Sequence, residues 1–211
     1  MRSLFKLFGQ LFFAALLLFL LGTASVAATD QLLERYRTAQ QSIYVKPYTE
    51  ASTFSQWLEA SRRALDVYDD QARVDRWLLA LSFPGFRAEL HAFDTAFAEA
   101  NRDYRELLAN MEHDFEASPM LRRGWEQAVL ETQHAAPDSS VATVSGALYR
   151  LAGALGGAVS SYGSHIRFQR RAESLERDLK AISGGFRNEV DYMLGPLDSA
   201  IVGLRGDRGM E

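Results

Sequence analysis

The chain of 211 residues contains no cysteine and only five prolines. The absence of cysteine excludes disulfide bonds, thiolate metal sites and a cysteine nucleophile. It also removes any conflict with an oxidising compartment. The formal charge of −4 at pH 7 is the opposite of the basic surface that nucleic acids require, so we expect no nucleic-acid partner.

The sequence also lacks the short motifs of the common catalytic chemistries. It contains no G-x-S-x-G nucleophile elbow, no His-Glu-x-x-His pair and no G-x-x-x-x-G-K-[ST] phosphate loop. Long helices with heptad patterning offer few strained loops on which to mount a catalytic site. We therefore predict that the protein is not an enzyme and uses no cofactor.

The longest apolar run lies near the N-terminus, in residues 7–21. Arg2 and Lys6 precede this run, and the small residues "ASVAA" (24–28) follow it. A positive head, an apolar middle of roughly 7–15 residues and a small-residue site together define a secretory signal. We therefore predict export and favour cleavage after Ala27 or Ala28, which would make residues 1–28 a signal peptide.

The alternative for the same segment is an uncleaved signal anchor, because residues 7–28 approach the ~20 residues that span a bilayer. The positive head, followed by Asp30 and Glu34, orients either version with the body outside the cytoplasm. We expect the protein to be periplasmic or anchored to the outer face of the cytoplasmic membrane.

After residue 50 the apolar residues recur at helical spacing. Ser52 or Thr53 is placed as an N-cap. Pro84 and Gly85 in "SFPGF" (82–86) then favour a chain reversal between two stripes. The first stripe consists of Phe54, Leu58, Leu65, Tyr68, Ala72, Val74, Trp77, Leu78 and Leu81, and the second of Phe86, Leu90, Phe93, Phe97, Ala100, Tyr104, Leu107 and Met111. The two stripes predict an antiparallel helical hairpin.

Further helices are predicted towards the C-terminus. Ser118 and Pro119 open a third helix, with a loop at 137–140 after it. A long helix is expected over 141–184, where Gly184-Gly185 would end it, and 185–211 would form a short helix and a frayed tail. The longest period-two run is "SIYVKPY" (42–48).

Together these patterns predict an all-α fold, in which residues 29–211 form a single antiparallel helical bundle of about four helices with coiled-coil-like hairpins. Residues 29–136 would hold the hairpin and the third helix. Long heptad-patterned helices carry more apolar surface than a small bundle covers, so self-association is a reasonable expectation.

Glycine and alanine crowd residues 145–163, although glycine inside a helix costs roughly 1 kcal/mol relative to alanine. Gly153 and Gly157 have the small-xxx-small spacing of a close helix contact, so we expect helix packing there. The alternative is a second membrane span over 141–163, against which the central Arg150 counts.

A basic cluster follows this segment and consists of Arg167, Arg170 and Arg171. We predict it as a basic patch, which would lie on the cytoplasmic side if residues 141–163 spanned the membrane.

Glu131 and His134 form Glu-x-x-His, the spacing found in carboxylate-bridged metal bundles. No second copy exists, so we expect no metal site and interpret the pair as surface residues. His91 and His113 lie among acidic residues and are expected to be solvated. The aromatic residues Trp57, Trp77, Phe93, Phe97 and Trp125 are expected in the core.

The function that we expect from these observations is a structural, adaptor or interaction module of the cell envelope, which binds a protein partner or itself through long helices. One alternative is a two-span inner-membrane sensor or complex subunit, with spans at 7–28 and 141–163. A second alternative is a metal-binding helical bundle.

Overall fold

The computed structural model describes residues 2–135, 140–154 and 160–206. Over these residues it contains helices and no strand, so the predicted all-α class is confirmed. A π-helical turn (Gln41–Val45) and a 3-10 turn (Pro84–Phe86) interrupt the α-helices. The α-helices are α1 (Arg2–Gln40), α2 (Lys46–Glu50), α3 (Phe54–Leu81), α4 (Arg87–Ala117), α5 (Pro119–Ala135), α6 (Val141–Ala154) and α7 (Tyr162–Gly206).

The predicted hairpin is formed by α3 and α4. Thr53 caps α3, because its hydroxyl accepts a hydrogen bond from the Gln56 N–H at 3.3 Å. The Gln56 side chain in turn accepts one from the Ser52 N–H at 3.0 Å, so the two side chains satisfy donors reciprocally. The 3-10 turn at Pro84 then reverses the chain, as the sequence predicts.

The centre of the bundle is a group of buried rings contributed by separate elements. Tyr44 of the π turn packs edge-on against Phe97 and Tyr104 of α4, with centroids 6.2 and 5.1 Å away. Phe168 of α7 packs on Tyr104 at 4.7 Å, and Trp57 of α3 approaches Tyr104 at 6.2 Å. The stretch that resembles a strand is therefore helical, and it places Tyr44 where the long helices meet.

Helix α7 is the longest helix of the described structure. It packs antiparallel along α4 and also contacts α6. The predicted single helix over 141–184 is wrong at both places: α6 ends at Ala154 before a turn at residues 160–161, and α7 continues past Gly184-Gly185. A Cβ added at Gly185 would lie 3.3 Å from the ring of Phe86, and this ring also packs against Phe186 at 5.8 Å. Gly185 therefore gives Phe86 room against α7, and this tertiary contact keeps the chain helical.

The helix α1 is continuous through the small residues at which a cleavage site is predicted. Ala28 and Thr29 are buried, and Leu32, Leu33 and Tyr36 continue the same buried stripe into the core. The predicted cleavage site after Ala27 or Ala28 thus lies inside α1, which includes both the apolar N-terminal segment and buried residues of the core.

Part of the first predicted stripe is not in the core. Val74, Trp77 and Leu81 are exposed, whereas Leu78 and Leu79 are buried. The prediction that Trp77 is a core residue is therefore wrong, while Trp57 and Trp125 are buried as expected. The reason is that the buried face of α3 is set by its contacts with α1 and α4, and Trp77 lies on the opposite face.

The N-terminal end of α7 is anchored by a carboxylate from α4. Asp114 accepts hydrogen bonds from the N–H and Oγ of Ser160, at 3.1 and 2.5 Å, and from the Ser161 N–H at 2.9 Å. Burial alone would raise the pKa of Asp114, but these hydrogen bonds outweigh burial and hold the pKa below its ordinary value. The N–H groups of the two residues that precede α7 are therefore satisfied by a carboxylate from another helix.

His165 lies buried one turn into α7, and its Nδ1 has no hydrogen-bond partner among the described residues. Burial lowers the pKa of His165 to about 4, although the nearby Asp114 opposes the shift. The imidazole is therefore neutral near pH 7.

We predict that His165→Phe removes a pH-dependent loss of stability. The folded-state pKa lies below the unfolded value of about 6.5, so the unfolded chain takes up the proton first as the pH falls. Above pH ~6.5, His165 should cause no change of the wild-type free energy of unfolding with pH. Between pH ~6.5 and pH 4, proton uptake by the unfolded chain at His165 should lower that free energy by at most about 3 kcal/mol. Urea titrations at pH 7, 6, 5 and 4 test this; equal slopes for the two proteins would contradict it.

Candidate functional site

An open apolar groove of about 600 Å³ runs between α1 and the later part of α7. Val26 and Leu33 line one wall, Phe186 and Val190 line the other, and Phe83 contributes from the turn between α3 and α4. The Phe83 N–H donates to the Thr29 hydroxyl at 2.7 Å, which ties this turn to α1. The groove is thus held on both sides by the folded core.

The two walls run antiparallel. Residues near the end of α1, such as Arg37, lie beside Glu176 and Lys180, whereas Gly22 shares the groove with Leu194. The segments that precede Gly22 and follow Leu194 therefore leave the bundle at the same end.

Each wall presents apolar side chains at helical spacing. Val26 and Leu33 are seven residues apart on α1, and Phe186, Val190 and Leu194 are four apart on α7. Positions of this spacing form one stripe along a helix. The groove therefore has an apolar surface, formed by two helices, against which a third helix can pack.

The rim of the groove is charged with both signs. Asp30, Glu34 and Arg37 lie on the α1 side, and Arg187 lies on the α7 side. Arg37 and Glu34 pair at 2.5 Å in an exposed ion pair. An apolar floor with a charged rim suits an amphipathic surface and supplies orientation at its edges.

The groove is continuous with a larger exposed apolar surface. Both walls continue beyond it as helix ends whose large apolar side chains face solvent, although such groups are normally covered in a soluble monomer. These side chains are Phe12, Phe13, Leu16, Leu17, Leu20 and Leu21 on α1, and Tyr192, Met193 and Leu194 on α7.

Two of the three arginines of the predicted basic patch form ion pairs between helices. Arg171 of α7 binds Glu99 and the buried Asp103 of α4, and Arg167 binds Glu106 of the same helix. Arg170 is exposed and has no ion pair among the described residues. Arg167 and Arg171 therefore hold α7 against α4 and do not form a free cationic surface.

The glycine pair that suggests close packing is not brought against another helix at its described member. Gly153 is exposed, and a Cβ added there would meet no atom within 4 Å. Gly157 lies outside the described residues. The structure thus gives no helix contact at Gly153 that explains the glycine.

The predicted metal pair is not part of a metal site within the described portion of the chain. Glu131 is exposed and accepts a hydrogen bond from Gln127 at 3.3 Å, while the side chain of His134 lies outside the described part. No group of His, Asp and Glu residues among the described ones has the arrangement to hold a metal ion. His91 and His113 are exposed on α4, as predicted.

The predicted membrane spans are not supported by the described side chains. No helix made of them is both long and apolar enough to cross a bilayer. Residues 155–159 of the predicted second span lie outside the described residues.

The structure brings serine, histidine and aspartate residues together near the start of α7. This group was not predicted from the sequence. Both oxygens of Asp114 accept hydrogen bonds from Ser160 and Ser161, so the carboxylate caps the helix. Ser164 accepts a hydrogen bond from the Asn110 amide at 2.6 Å. The group is therefore satisfied internally, apart from His165 Nδ1. The run "SSYGSH" (160–165) is the signal in the sequence that could have indicated it.

No protein-family model, no curated protein and no solved structure matches this chain.

We predict that Arg171 and Arg170 differ sharply in their effect on stability. Arg171→Gln leaves the buried Asp103 without its cation, so we expect a loss of about 1–3 kcal/mol in the free energy of unfolding. The matched control Arg170→Gln removes an exposed, unpaired charge and should change it by less than about 0.5 kcal/mol. Chemical denaturation of both variants measures the difference; equal losses would show that the ion pairs do not hold α7 to α4.

Proposed function

We propose that this protein is a non-enzymatic interaction module of the cell envelope, exported and held at the outer face of the cytoplasmic membrane by its N-terminal helix. Its binding site is the groove between α1 and α7. The ligand is an amphipathic helix of a protein partner. The observation that carries this proposal is an apolar groove with helically spaced walls, continuous with exposed apolar helix ends.

A helix is the occupant that the groove fits best. Two antiparallel walls with apolar residues in steps of four and seven form the holes into which side chains of a third helix insert. The charged rim at Asp30, Glu34 and Arg187 would contact the polar edges of such a helix. Recognition of an amphipathic helix in an apolar groove is a recurrent mode of protein binding.

Retention of the N-terminal helix is supported by its role in the fold. Gly22, Thr23, Val26 and Ala27 line the groove, so cleavage after Ala27 or Ala28 would remove four of the eight α1 residues that form this wall. Ala28 and Thr29 are buried. An uncleaved helix keeps the groove intact and places it next to the membrane in which residues 7–21 would lie.

We predict that a photoreactive benzoylphenylalanine at Val190 forms a covalent protein adduct in intact cells. Val190 lines the groove and is only partly exposed, so a partner helix would lie within reach of the probe. The control position is Met120, which is 85% exposed on α5. Denaturing gels with mass spectrometry should show adducts at position 190, mapped to an apolar stripe of the partner's helix, and none at position 120.

Adducts only with lipid, or equal protein adducts at both positions, would contradict a helix-binding groove. Val26→Asp, on the opposite wall, should abolish the adduct formed at position 190, because it places a charge in the apolar floor.

We predict that the purified protein keeps residues 1–28. Intact-mass measurement after membrane extraction should give the uncleaved chain, and the protein should stay with the membrane in carbonate. A mature N-terminus at Ala28 or Thr29 would overturn retention and leave only export.

A further inference from the structure

The outward face of α3 carries large apolar residues that are only partly covered in the described structure. Val74, Trp77 and Leu81 lie on the side away from the core, and Val67 lies at the border with α1 and α2, where it lines two clefts. Their exposed fractions are 51% for Val67, 44% for Val74, 62% for Trp77 and 43% for Leu81. Isolated exposed apolar residues are ordinary, but these lie on one helix face.

The spacing of these residues is that of a coiled-coil seam. Val67, Val74 and Leu81 are seven residues apart, and Ala60 precedes them at the same interval. Trp77 follows Val74 by three residues, as a d position follows an a position. The other two d positions carry Arg63 and Asp70, so the seam is apolar at all of its a positions and charged at two of its d positions.

Two charged residues beside this seam form no ion pair within the described part of the chain. Asp66 and Arg73 are both exposed and have no ion pair among the described residues. By contrast, other charges of α3 bind neighbouring helices: Arg62 pairs with Glu112 of α4 and Asp75 with Arg35 of α1. Asp66 and Arg73 are seven residues apart, so they occupy equivalent positions of successive heptads.

We propose that a second copy of this chain binds here, through antiparallel packing of α3 against α3 about a twofold axis. In an antiparallel pair, a positions face d positions, and equivalent flanking positions face each other. With Asp66 opposite Arg73 of the second copy, the symmetry makes the ion pair twice. The same register sets the small Ala60 opposite Trp77.

The charge pattern selects the antiparallel direction. A parallel pair in register would set each d residue against its own copy, so that Arg63 faces Arg63. Like charges directly opposed are unfavourable. In the antiparallel pair Arg63 lies opposite Val74 and away from its own copy, and the flanking charges Asp66 and Arg73 are complementary. Asp70 lies near its own copy in both directions and does not distinguish them.

The test is a charge exchange read by the dimer dissociation constant, measured by analytical ultracentrifugation of the full chain. Asp66→Arg alone and Arg73→Asp alone each create two like-charge contacts, so each should weaken the dimer by about tenfold or more. An equimolar mixture of the two variants should form a heterodimer with restored affinity, because each contact then joins opposite charges. The double variant Asp66→Arg/Arg73→Asp should restore the homodimer.

Circular dichroism of each variant is the check on folding, and Met120→Arg on α5 is the matched surface control, which should leave the dissociation constant unchanged. Wild type that stays monomeric at all concentrations overturns the proposal. So does a dimer that ignores both single exchanges, since another surface would then carry it.

Direction is tested by cross-linking, for which the absence of native cysteine is an advantage. Asp70→Cys lies near the proposed axis and should be joined to its own copy by a short bis-maleimide. In the antiparallel pair two copies of Leu81→Cys lie ~40 Å apart along the helix axis and should not be joined. Cross-linking at both positions indicates a parallel pair and overturns the antiparallel one. The outcome does not depend on the α1–α7 groove, so either proposal can fail alone.

Discussion

Burial of the C-terminal half of α1 is the constraint on which the rest of the structure depends. Leu32 and Tyr36 fill the core, and the Thr29 hydroxyl accepts the Phe83 N–H of the turn that reverses the hairpin. The apolar N-terminal segment and the bundle therefore share one helix of 39 residues, about 58 Å long at 1.5 Å per residue. Any surface that holds the first half of this helix also sets the position of the groove beside its second half.

The charges of the chain are divided between those that hold the bundle together and those that face outwards. Arg171 and Arg167 bind acids of α4, and Arg62 and Arg105 join α3 to α4. Exposed pairs of this kind contribute little singly, whereas the pair with the buried Asp103 contributes more, because removing its partner leaves a charge away from water. The outward charges on α3 are then available to direct association, since they need satisfy nothing within the chain.

The two proposed interaction surfaces lie on different helices. The groove uses α1 and α7, while the self-association seam uses the outward face of α3. A dimer would therefore present two grooves at once, and two linked sites bind a multivalent or clustered partner more strongly than either site does alone. If α1 also lies in a membrane, the search for a partner is confined to that surface.

The sequence by itself determined the helical class, the hairpin of α3 and α4 and a cap at Ser52 or Thr53, because periodicity, caps and the Pro84 turn are local signals. It also indicated the aromatic core, apart from Trp77. Only the tertiary structure decided which face of α3 is buried, that α7 continues past Gly185 where Phe86 packs, and that Arg171 is engaged with α4. These outcomes depend on side chains far apart along the chain. The groove could not be predicted from the sequence for the same reason, because its two walls come from opposite ends of the chain. One of these walls includes residues that have the composition of a signal peptide.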